Sequence, residues 1–210
     1  MKIYPTLTDV KEIAKTGKYD ILPVSCEILS DFITPIEAMR ILQNVSTHCY
    51  LLESAQANEA WGRYTFLGYD PKLEINCIDG HMKLGKLSVE TENPSEYIRQ
   101  ILSEYKSPKF DYLPSFTGGL VGYFSYDYLG YKEKSIRGKA KDTDDFKDVD
   151  LMLFDKVIAF DNLCQKIILI ANMSLDAPET GYNKAIVELK QLRELLMHGE
   201  KKQNMGGKLL

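Results

Sequence analysis

The stretch LMLFDKVIAFDNLCQKIILIANM, residues 151–173, decides the fold class of this chain. Two apolar runs, residues 151–160 and 166–173, flank the short and more polar segment DNLCQ at 161–165. Apolar runs of this length joined by a short connection are typical of a β-hairpin, whose strands pair antiparallel. The stretch therefore predicts an antiparallel sheet.

Separate helices and further hairpins surround this stretch. Asp79-Gly80 lies between two strand-like runs and predicts a second, tight hairpin. Residues 34–37 (TPIE) and 93–96 (NPSE) predict helix starts with proline at the first helical position, and Pro178 opens a long amphipathic helix. Because strands and helices do not alternate regularly, the order predicts an α+β fold of packed, mainly antiparallel β-sheets with flanking helices.

The bulk composition is that of an ordinary globular protein. The chain has 210 residues, of which 44% are apolar and 27% are charged, and its net charge is −4. No basic surplus is present to neutralise phosphates, so nucleic acid is not expected as a partner. No apolar run approaches the ~20 residues of a membrane span, and the N-terminus lacks a signal-peptide core. The sequence predicts a cytoplasmic protein with one domain over residues 1–199 and a frayed tail over 200–210.

The cysteines and histidines give no metal-binding pattern. They are scattered along the chain without a C-x-x-C pair, at Cys26, Cys49, Cys77, Cys164, His48, His81 and His198. Metal sites need clustered ligands. We expect the thiols to be reduced and mostly buried, and we expect no metal bound by this chain.

A candidate binding site lies where an apolar strand ends in an acid and a hydroxyl. Leu51 and Leu52 run into Glu53 and Ser54, and the only tryptophan, Trp61, follows seven residues later. A strand end of this kind can hold a small zwitterion, with leucine against its apolar part and the acid facing its ammonium. The alternative is that the acid and the hydroxyl only cap the following turn.

A glycine-rich segment, residues 118–127 (GGLVGYFSYD), follows later in the chain. Its three glycines let a strand approach another backbone closely. It does not fit a phosphate-binding loop, because the lysine and the Ser or Thr of that motif are missing. We therefore interpret it as a structural strand.

Together, several ordered motifs resemble the N-terminal region of anthranilate synthase component I, the chorismate-using enzyme that opens tryptophan biosynthesis. They are residues 23–31 (PVSCEILSD) leading to Thr34-Pro35, 51–54 (LLES), 61–68 (WGRYTFLG), 118–127 and 148–151 (DVDL). The resemblance covers about residues 20–175, and any one of these motifs alone would be weak.

The resemblance implies an α+β domain of packed antiparallel sheets and a partial site for tryptophan, the feedback inhibitor. Carried over residue by residue, it implicates Leu52, Glu53 and Ser54, with Leu51 and Pro23 as weaker candidates. An indole needs an apolar slot, and its amino-acid group needs polar partners. We expect a bulky replacement at Ser54 to block entry of the ligand.

The chain departs from the family after about Leu175. Full members continue into a second, longer stretch with the chorismate site, the Mg²⁺-binding carboxylates and the acid/base groups, and they pair with a glutamine amidotransferase subunit. The resemblance therefore implies a truncated chain that is catalytically silent, needs no cofactor of its own and binds tryptophan weakly. We assign no catalytic residue, because the acids at 142, 144, 145 and 148 are expected in a solvated surface excursion.

Two other functions stay open on the sequence. A close relative such as aminodeoxychorismate synthase has a similar N-terminal domain, although LLES followed by WGRY favours the anthranilate enzyme. A free-standing amino-acid-binding or interaction module would need no catalytic partner. Such a module is expected to have no large exposed apolar patch.

Overall fold

The computed structural model describes residues 1–53, 62–133, 135 and 146–202. The sequence predictions for Ser54 and Trp61, for the acids at 142, 144 and 145, and for tail residues 203–210 lie outside this part of the chain. The described residues group into two compact units. One comprises Met1–Asp70, Ser107–Gly118 and the chain from Asp155 onward, and the other comprises Pro71–Lys106 and Gly119–Phe154.

The elements of the described chain are strands, four α-helices and one 3-10 helix. In chain order they are β1 (Ile3–Tyr4), α1 (Leu7–Lys15), β2 (Ile21–Leu29), α2 (Pro35–Val45), β3 (Cys49–Leu52), β4 (Tyr64–Tyr69), β5 (Leu73–Ile78), β6 (His81–Leu84), β7 (Leu87–Glu90), α3 (Pro94–Ser103), β8 (Gly119–Phe124), the 3-10 helix (Tyr126–Tyr131), β9 (Val149–Phe154), β10 (Lys156–Asp161), β11 (Lys166–Ser174) and α4 (Pro178–His198). The predicted α+β class is confirmed.

The first unit is built on a six-stranded sheet in the order β1-β2-β11-β10-β4-β3, and every pairing in it is antiparallel. The predicted hairpin at its centre is β10–β11. Helices α1, α2 and α4 cover one face with a continuous apolar core. Ser107–Gly118 runs along the other face, where Leu113 packs against β10 and β11 residues such as Ala159 and Ile168.

The second unit is a five-stranded antiparallel sheet in the order β7-β6-β5-β9-β8. Helix α3 covers one of its faces, with Ile98 buried against Ile75 and Leu151. The predicted hairpin at Asp79-Gly80 is confirmed, since Ile78 pairs with His81 and both turn residues have positive φ.

The apolar run 151–160 is not one strand, as the sequence predicted, but parts of two. It breaks at Asp155, so that β9 ends at Phe154 in the second unit and β10 begins at Lys156 in the first. The carbonyl of Asp155 accepts hydrogen bonds from the backbone N–H of Asn172 at 2.8 Å and from its side chain at 3.0 Å. Apolar periodicity cannot reveal such a break, because residues on both sides of it are buried.

Asp148 is buried, although the sequence placed it in a solvated excursion. It is 9% exposed, and its Oδ2 accepts hydrogen bonds from the Tyr131 hydroxyl at 2.6 Å and from the Asp79 backbone N–H at 2.8 Å. The Tyr131 hydroxyl also accepts the N–H of Gly80 at 2.6 Å. Burial and the hydrogen bond to Asp148 raise the pKa of Tyr131. These contacts fix the β5–β6 turn, which explains why an acid stands here.

The helix starts differ in their capping. Thr34 caps α2 through the predicted capping box with Glu37, whose side chain reaches back to the Thr34 backbone N–H. Asn93 makes no side-chain cap to α3, and its amide instead donates to Glu96 at 2.7 Å.

At the start of the predicted tail, Lys202 donates its backbone N–H to the Arg40 carbonyl of α2 at 3.1 Å. The domain boundary at residue 199 stays a prediction.

Candidate amino-acid site at the end of the six-stranded sheet

The predicted site residues lie at the end of β3, the outer strand of the six-stranded sheet. Leu51 pairs with Leu67 and Leu52 pairs with Phe66. Successive residues of a strand point to opposite faces, so the two leucines cannot wall the same pocket. Leu51 packs into the helix-covered core, whereas Leu52 is 46% exposed and lies on the opposite face. Leu52 is therefore the leucine that a ligand can reach on that face.

Glu53 follows Leu52 and is exposed at the strand end. Its position allows the carboxylate to meet a cationic group arriving from solvent. Ser54 lies outside the described residues, so its predicted part in the site stays a prediction.

Pro23 is not brought next to the other predicted residues within the sheet. It lies in β2, paired with Asn172 of β11, and it is buried. Three strands separate β2 from β3 in the sheet order. At ~4.8 Å per strand, the two strands are about 19 Å apart along the sheet.

Aromatic side chains line the sheet face on which Leu52 lies. The Tyr64 and Phe66 rings of β4 have centroids 5.8 Å apart, and Phe66 meets Phe116 edge to face at 5.6 Å. Phe116 also meets Tyr50 of β3 at 6.4 Å. We call Tyr50, Tyr64, Phe66 and Phe116 the aromatic strip. Tyr64 and Phe66 are only partly buried, so the strip offers ring surface beside Leu52.

Arg63 is held at the start of β4 by a buried acid at the end of β10. Its Nε donates to Asp161 Oδ1 at 3.1 Å, and its Nη2 donates to Asp161 Oδ2 at 2.7 Å. Asp161 is 1% exposed and also accepts the backbone N–H groups of Leu163 and Cys164, at 3.2 and 3.0 Å. Burial alone would raise the pKa of Asp161, but these hydrogen bonds outweigh it and lower that pKa.

The Arg63 guanidinium keeps an accessible side. Its side chain is 35% exposed and its Cζ lies 4.9 Å from the centroid of the Tyr64 ring. The bidentate pair uses Nε and Nη2, so Nη1 has no hydrogen bond to another described residue. Nη1 can thus donate to a carboxylate that rests beside Tyr64.

The turn between β10 and β11 also holds the backbone of this segment. Asn162 donates its backbone N–H to the Arg63 carbonyl at 2.9 Å and its side-chain amide to the Gly62 carbonyl at 3.5 Å. Residues 62–63 are thereby fixed to the sheet. The resulting arrangement has an exposed acid, an apolar and aromatic surface, and a guanidinium, which together suit a small zwitterion with a ring.

Sequence reasoning did not assign Arg63, Tyr64 or Phe66 to the site. They stand in the motif WGRYTFLG at 61–68 that the resemblance used. Phe66 could have been found from the sequence by assuming that β4 pairs antiparallel with β3, because this pairing places Phe66 opposite Leu52. The partner of Arg63 could not be found in this way, because Asp161 is 98 residues further along the chain.

A separate shallow cavity of about 370 Å³ lies at the β5–β6 turn of the second unit. It is lined by Asp79, Gly80, His81, Glu90, Thr91 and Glu92, and none of the predicted site residues lines it.

Over the described ranges, no group of three or more His, Cys, Asp and Glu side chains could hold a metal ion. Among the helices in the same ranges, none combines the length and apolarity needed to cross a membrane.

Comparison with known proteins gives one consistent relationship, although no family model matches the chain. The chain is 34% identical over 199 residues to anthranilate synthase component 1 of Acetivibrio thermocellus, covering 92% of this chain and 40% of that protein. It is 35% identical over 187 residues to anthranilate synthase component 1 of Pseudomonas aeruginosa, covering 85% of this chain and 37% of that protein. A probable anthranilate synthase component 1 of Schizosaccharomyces pombe is 30% identical over 199 residues, covering 93% of this chain and 38% of that protein.

A solved structure agrees with these relatives. The crystal structure of anthranilate synthase component I from Streptococcus pneumoniae matches with a TM-score of 0.51 and 25% identity, covering 79% of this chain and 36% of that chain. The chain has an α+β fold of two antiparallel sheets with flanking helices, and the solved structure that matches it is that of an anthranilate synthase component I. The chain is related to the N-terminal part of anthranilate synthase component 1. It spans about 40% of the length of the curated relatives that it matches.

Proposed function

We propose that the chain serves as the N-terminal part of an anthranilate synthase component I. The observation that carries the proposal is the 34% identity to the Acetivibrio thermocellus protein across 92% of this chain. The whole enzyme would convert chorismate and glutamine or ammonia into anthranilate and pyruvate, the first committed step of tryptophan biosynthesis. In that enzyme a glutamine amidotransferase subunit would supply the ammonia.

By the family resemblance, the catalytic chemistry would lie in the part of the relatives that this chain does not span. Adding ammonia to the chorismate ring and eliminating pyruvate needs a metal on the substrate carboxylate and positioned acid and base groups. The described residues offer no ligand set for the Mg²⁺ that the family uses. We assign no catalytic step to this chain.

The role that we propose for this chain's own residues is part of a tryptophan feedback site. Leu52 and the aromatic strip would contact the indole, and Glu53 would face the ammonium group. Arg63 would donate from Nη1 to the α-carboxylate. The exposure of Leu52 and the accessible side of Arg63 support this assignment. Ser54 is proposed from the sequence as a further polar contact. Leu51 and Pro23 are the weaker candidates, since Leu51 packs into the helix-covered core and Pro23 lies in β2, away from β3.

Tryptophan binding by the chain alone should be weak. In the family the site also draws residues from the part that this chain does not span, so the contacts from that part would be missing. Losing ~3 kcal/mol of contacts weakens binding more than a hundredfold. Calorimetry with L-tryptophan and the purified chain should show weak or undetectable binding. A micromolar dissociation constant would place the whole pocket within this chain and contradict the proposal of a partial site.

A chimera tests the proposed function directly. In it, this chain replaces the matching region of the Acetivibrio thermocellus protein, and anthranilate is followed by its fluorescence with chorismate and ammonia. We expect anthranilate formation that L-tryptophan inhibits. The parent protein, assayed in parallel, is the reference for both rate and inhibition. A folded chimera that makes no anthranilate would contradict the proposed function, and one that is active but insensitive to tryptophan would contradict the proposed site.

A further inference from the structure

The guanidinium of Arg63 is shared between the protein and the accessible side of the candidate site. Its Nε and Nη2 atoms donate to the two carboxylate oxygens of Asp161, at 3.1 and 2.7 Å. Because a guanidinium is planar, these two bonds also fix the direction of its third nitrogen, Nη1, which points away from Asp161. The Arg63 Cζ lies 4.9 Å from the centroid of the Tyr64 ring, so Nη1 is held close to that ring.

Asp161 is itself fixed from several sides. It is paired in the sheet with Tyr64 of β4 on one side and with Lys166 of β11 on the other. Its Oδ1 also accepts the backbone N–H groups of Leu163 and Cys164, at 3.2 and 3.0 Å, and its side chain is fully buried. A carboxylate held by packing and by this many donors has one position, so it sets the position of the arginine.

The backbone of Arg63 is fixed by the turn that follows Asp161. The Arg63 carbonyl accepts the backbone N–H of Asn162 at 2.9 Å, and the Asn162 carbonyl accepts the side-chain amide of Gln165 at 2.7 Å. The arginine is therefore restrained both at its backbone and at its guanidinium. A group that is restrained before binding loses less conformational entropy when the ligand arrives.

We propose that Asp161 is a positioning residue for ligand recognition, because it aims Nη1 of Arg63 at the ligand and thereby makes the site select aromatic amino acids with a free carboxylate. The inference rests on the proposed function, in which Arg63 meets the α-carboxylate. Hydrogen bonds between a guanidinium and a carboxylate are among the strong ones. An aromatic amine without a carboxylate gives up this bond, so it should bind more weakly.

Two substitutions separate the positioning role from a purely structural one. Arg63→Lys keeps a cation for the buried carboxylate, but a single ammonium cannot hold Asp161 in a bidentate pair and also present a fixed donor to the ligand. Asp161→Asn keeps the size of the side chain and removes the charge that holds the guanidinium. If Asp161→Asn does not fold, Arg63→Lys alone decides the test.

Asn172→Ala is the matched control for a loss of stability in the same sheet. Asn172 lies in β11, and its amide donates to the carbonyls of Thr117 at 2.6 Å and of Asp155 at 3.0 Å. At ~3.4 Å per residue, it lies about 20 Å along β11 from Lys166, the residue paired with Asp161. Urea unfolding shows that each variant is folded and how much stability it has lost.

The two ligands to compare are L-tryptophan and tryptamine, which is the same molecule without the carboxylate. Calorimetry measures the binding of each to the purified chimera, so the test does not depend on anthranilate formation. We expect the unsubstituted chimera and Asn172→Ala to prefer L-tryptophan by at least about tenfold. Arg63→Lys and Asp161→Asn should each lower this preference to less than about threefold.

A structural role alone would weaken the binding of both ligands by the same factor, and an unchanged preference in the two variants would overturn the inference. An unsubstituted chimera that binds tryptamine as tightly as L-tryptophan would also overturn it, as would loss of the preference in Asn172→Ala.

The proposed function fails on a different result. Selective binding that depends on Asp161, in a chimera that forms no anthranilate, would contradict the function and leave the positioning role established. A chimera that binds neither ligand would overturn the proposed site and this inference together.

Discussion

Asp161 receives two hydrogen bonds from the guanidinium of Arg63, from Nε at 3.1 Å and from Nη2 at 2.7 Å. The pair joins the end of β10 to the residue before β4. Asp161 is almost completely buried, while Arg63 stays partly accessible. The sheet therefore holds a cation at a fixed place beside Tyr64 and Phe66.

Removing the guanidinium should destabilise the fold. Arg63→Ala leaves the Asp161 carboxylate buried without its ionic partner, and such losses cost about 3 kcal/mol. Urea unfolding near neutral pH measures the change. Arg193→Ala is the matched control, because the Arg193–Glu194 pair is exposed on both sides and should contribute less than about 1 kcal/mol. Equal effects of the two substitutions would show that the Arg63 pair has no special role in stability.

The Arg63–Asp161 pair should make the free energy of unfolding depend on pH in the acidic range. The pKa of Asp161 is lowered in the folded chain, so its contribution is present above the unfolded value of about 3.9 and is lost as the pH falls through the folded value. The destabilisation caused by Arg63→Ala should therefore shrink as the pH is lowered from about 6 to about 3. Urea unfolding at several pH values measures it. A destabilisation that stays constant over this range would contradict the prediction.

Truncating Leu52 should weaken inhibition by tryptophan. In the chimera, Leu52→Ala removes the exposed apolar contact proposed for the indole, and the tryptophan concentration for half-inhibition should rise about tenfold. Leu29→Ala is the control, since Leu29 is 68% exposed on the same sheet but lies in β2. If both variants are inhibited like the unsubstituted chimera, Leu52 is not part of the site.

The thiols should differ strongly in reactivity. Cys164 is exposed, Cys49 is half-buried, and Cys26 and Cys77 are buried. Burial raises the pKa of Cys26 to about 11, so little of it is thiolate at neutral pH. We expect Ellman's reagent to label one thiol rapidly in the native chain, and Cys164→Ser to remove that fast phase. A fast phase that survives this substitution would place a second accessible thiol in the folded chain.

Adding a methyl group at Gly122 should be costly. Gly122 has φ of +151°, and a Cβ built there would lie 2.0 Å from the backbone oxygen of Asp150. Because β9 backbone must move, Gly122→Ala should destabilise the chain by about 3 kcal/mol in thermal or urea unfolding. Gly17→Ala is the control, since Gly17 has φ of +62° but open space around it, and about 1 kcal/mol is expected. Similar costs at both sites would contradict the close approach of β8 and β9.

Local sequence signals predicted much of the fold. The β10–β11 hairpin, the Asp79-Gly80 turn and the Thr34 capping box are each set by residues only a few positions apart. The break at Asp155 and the burial of Asp148 were not predictable in this way. Both depend on partners far along the chain, and a charged or uniformly apolar stretch looks the same whether or not those partners exist.

In the candidate site, too, the sequence predicted the local features, whereas the arrangement of distant residues needed the structure. The order Leu51, Leu52, Glu53 predicted a strand end with an acid, which the structure places at the edge strand β3. The separation of Leu51 and Leu52 onto opposite faces needed only strand geometry. The distance of Pro23 from β3, in contrast, needed the sheet order, because sequence does not state which strands lie between two others.

By itself the sequence determined the α+β class, the hairpins, the helix starts and the resemblance to one biosynthetic enzyme. These follow from periodicity, turn chemistry and short ordered motifs, which act over a few residues. Only the tertiary structure decided that Asp161 meets Arg63, that the 151–160 run serves two sheets and that β8 lies last in the order of the described strands of its sheet. The physical reason is that strand pairing and burial are properties of contacts between distant segments, which form only when the whole chain has folded.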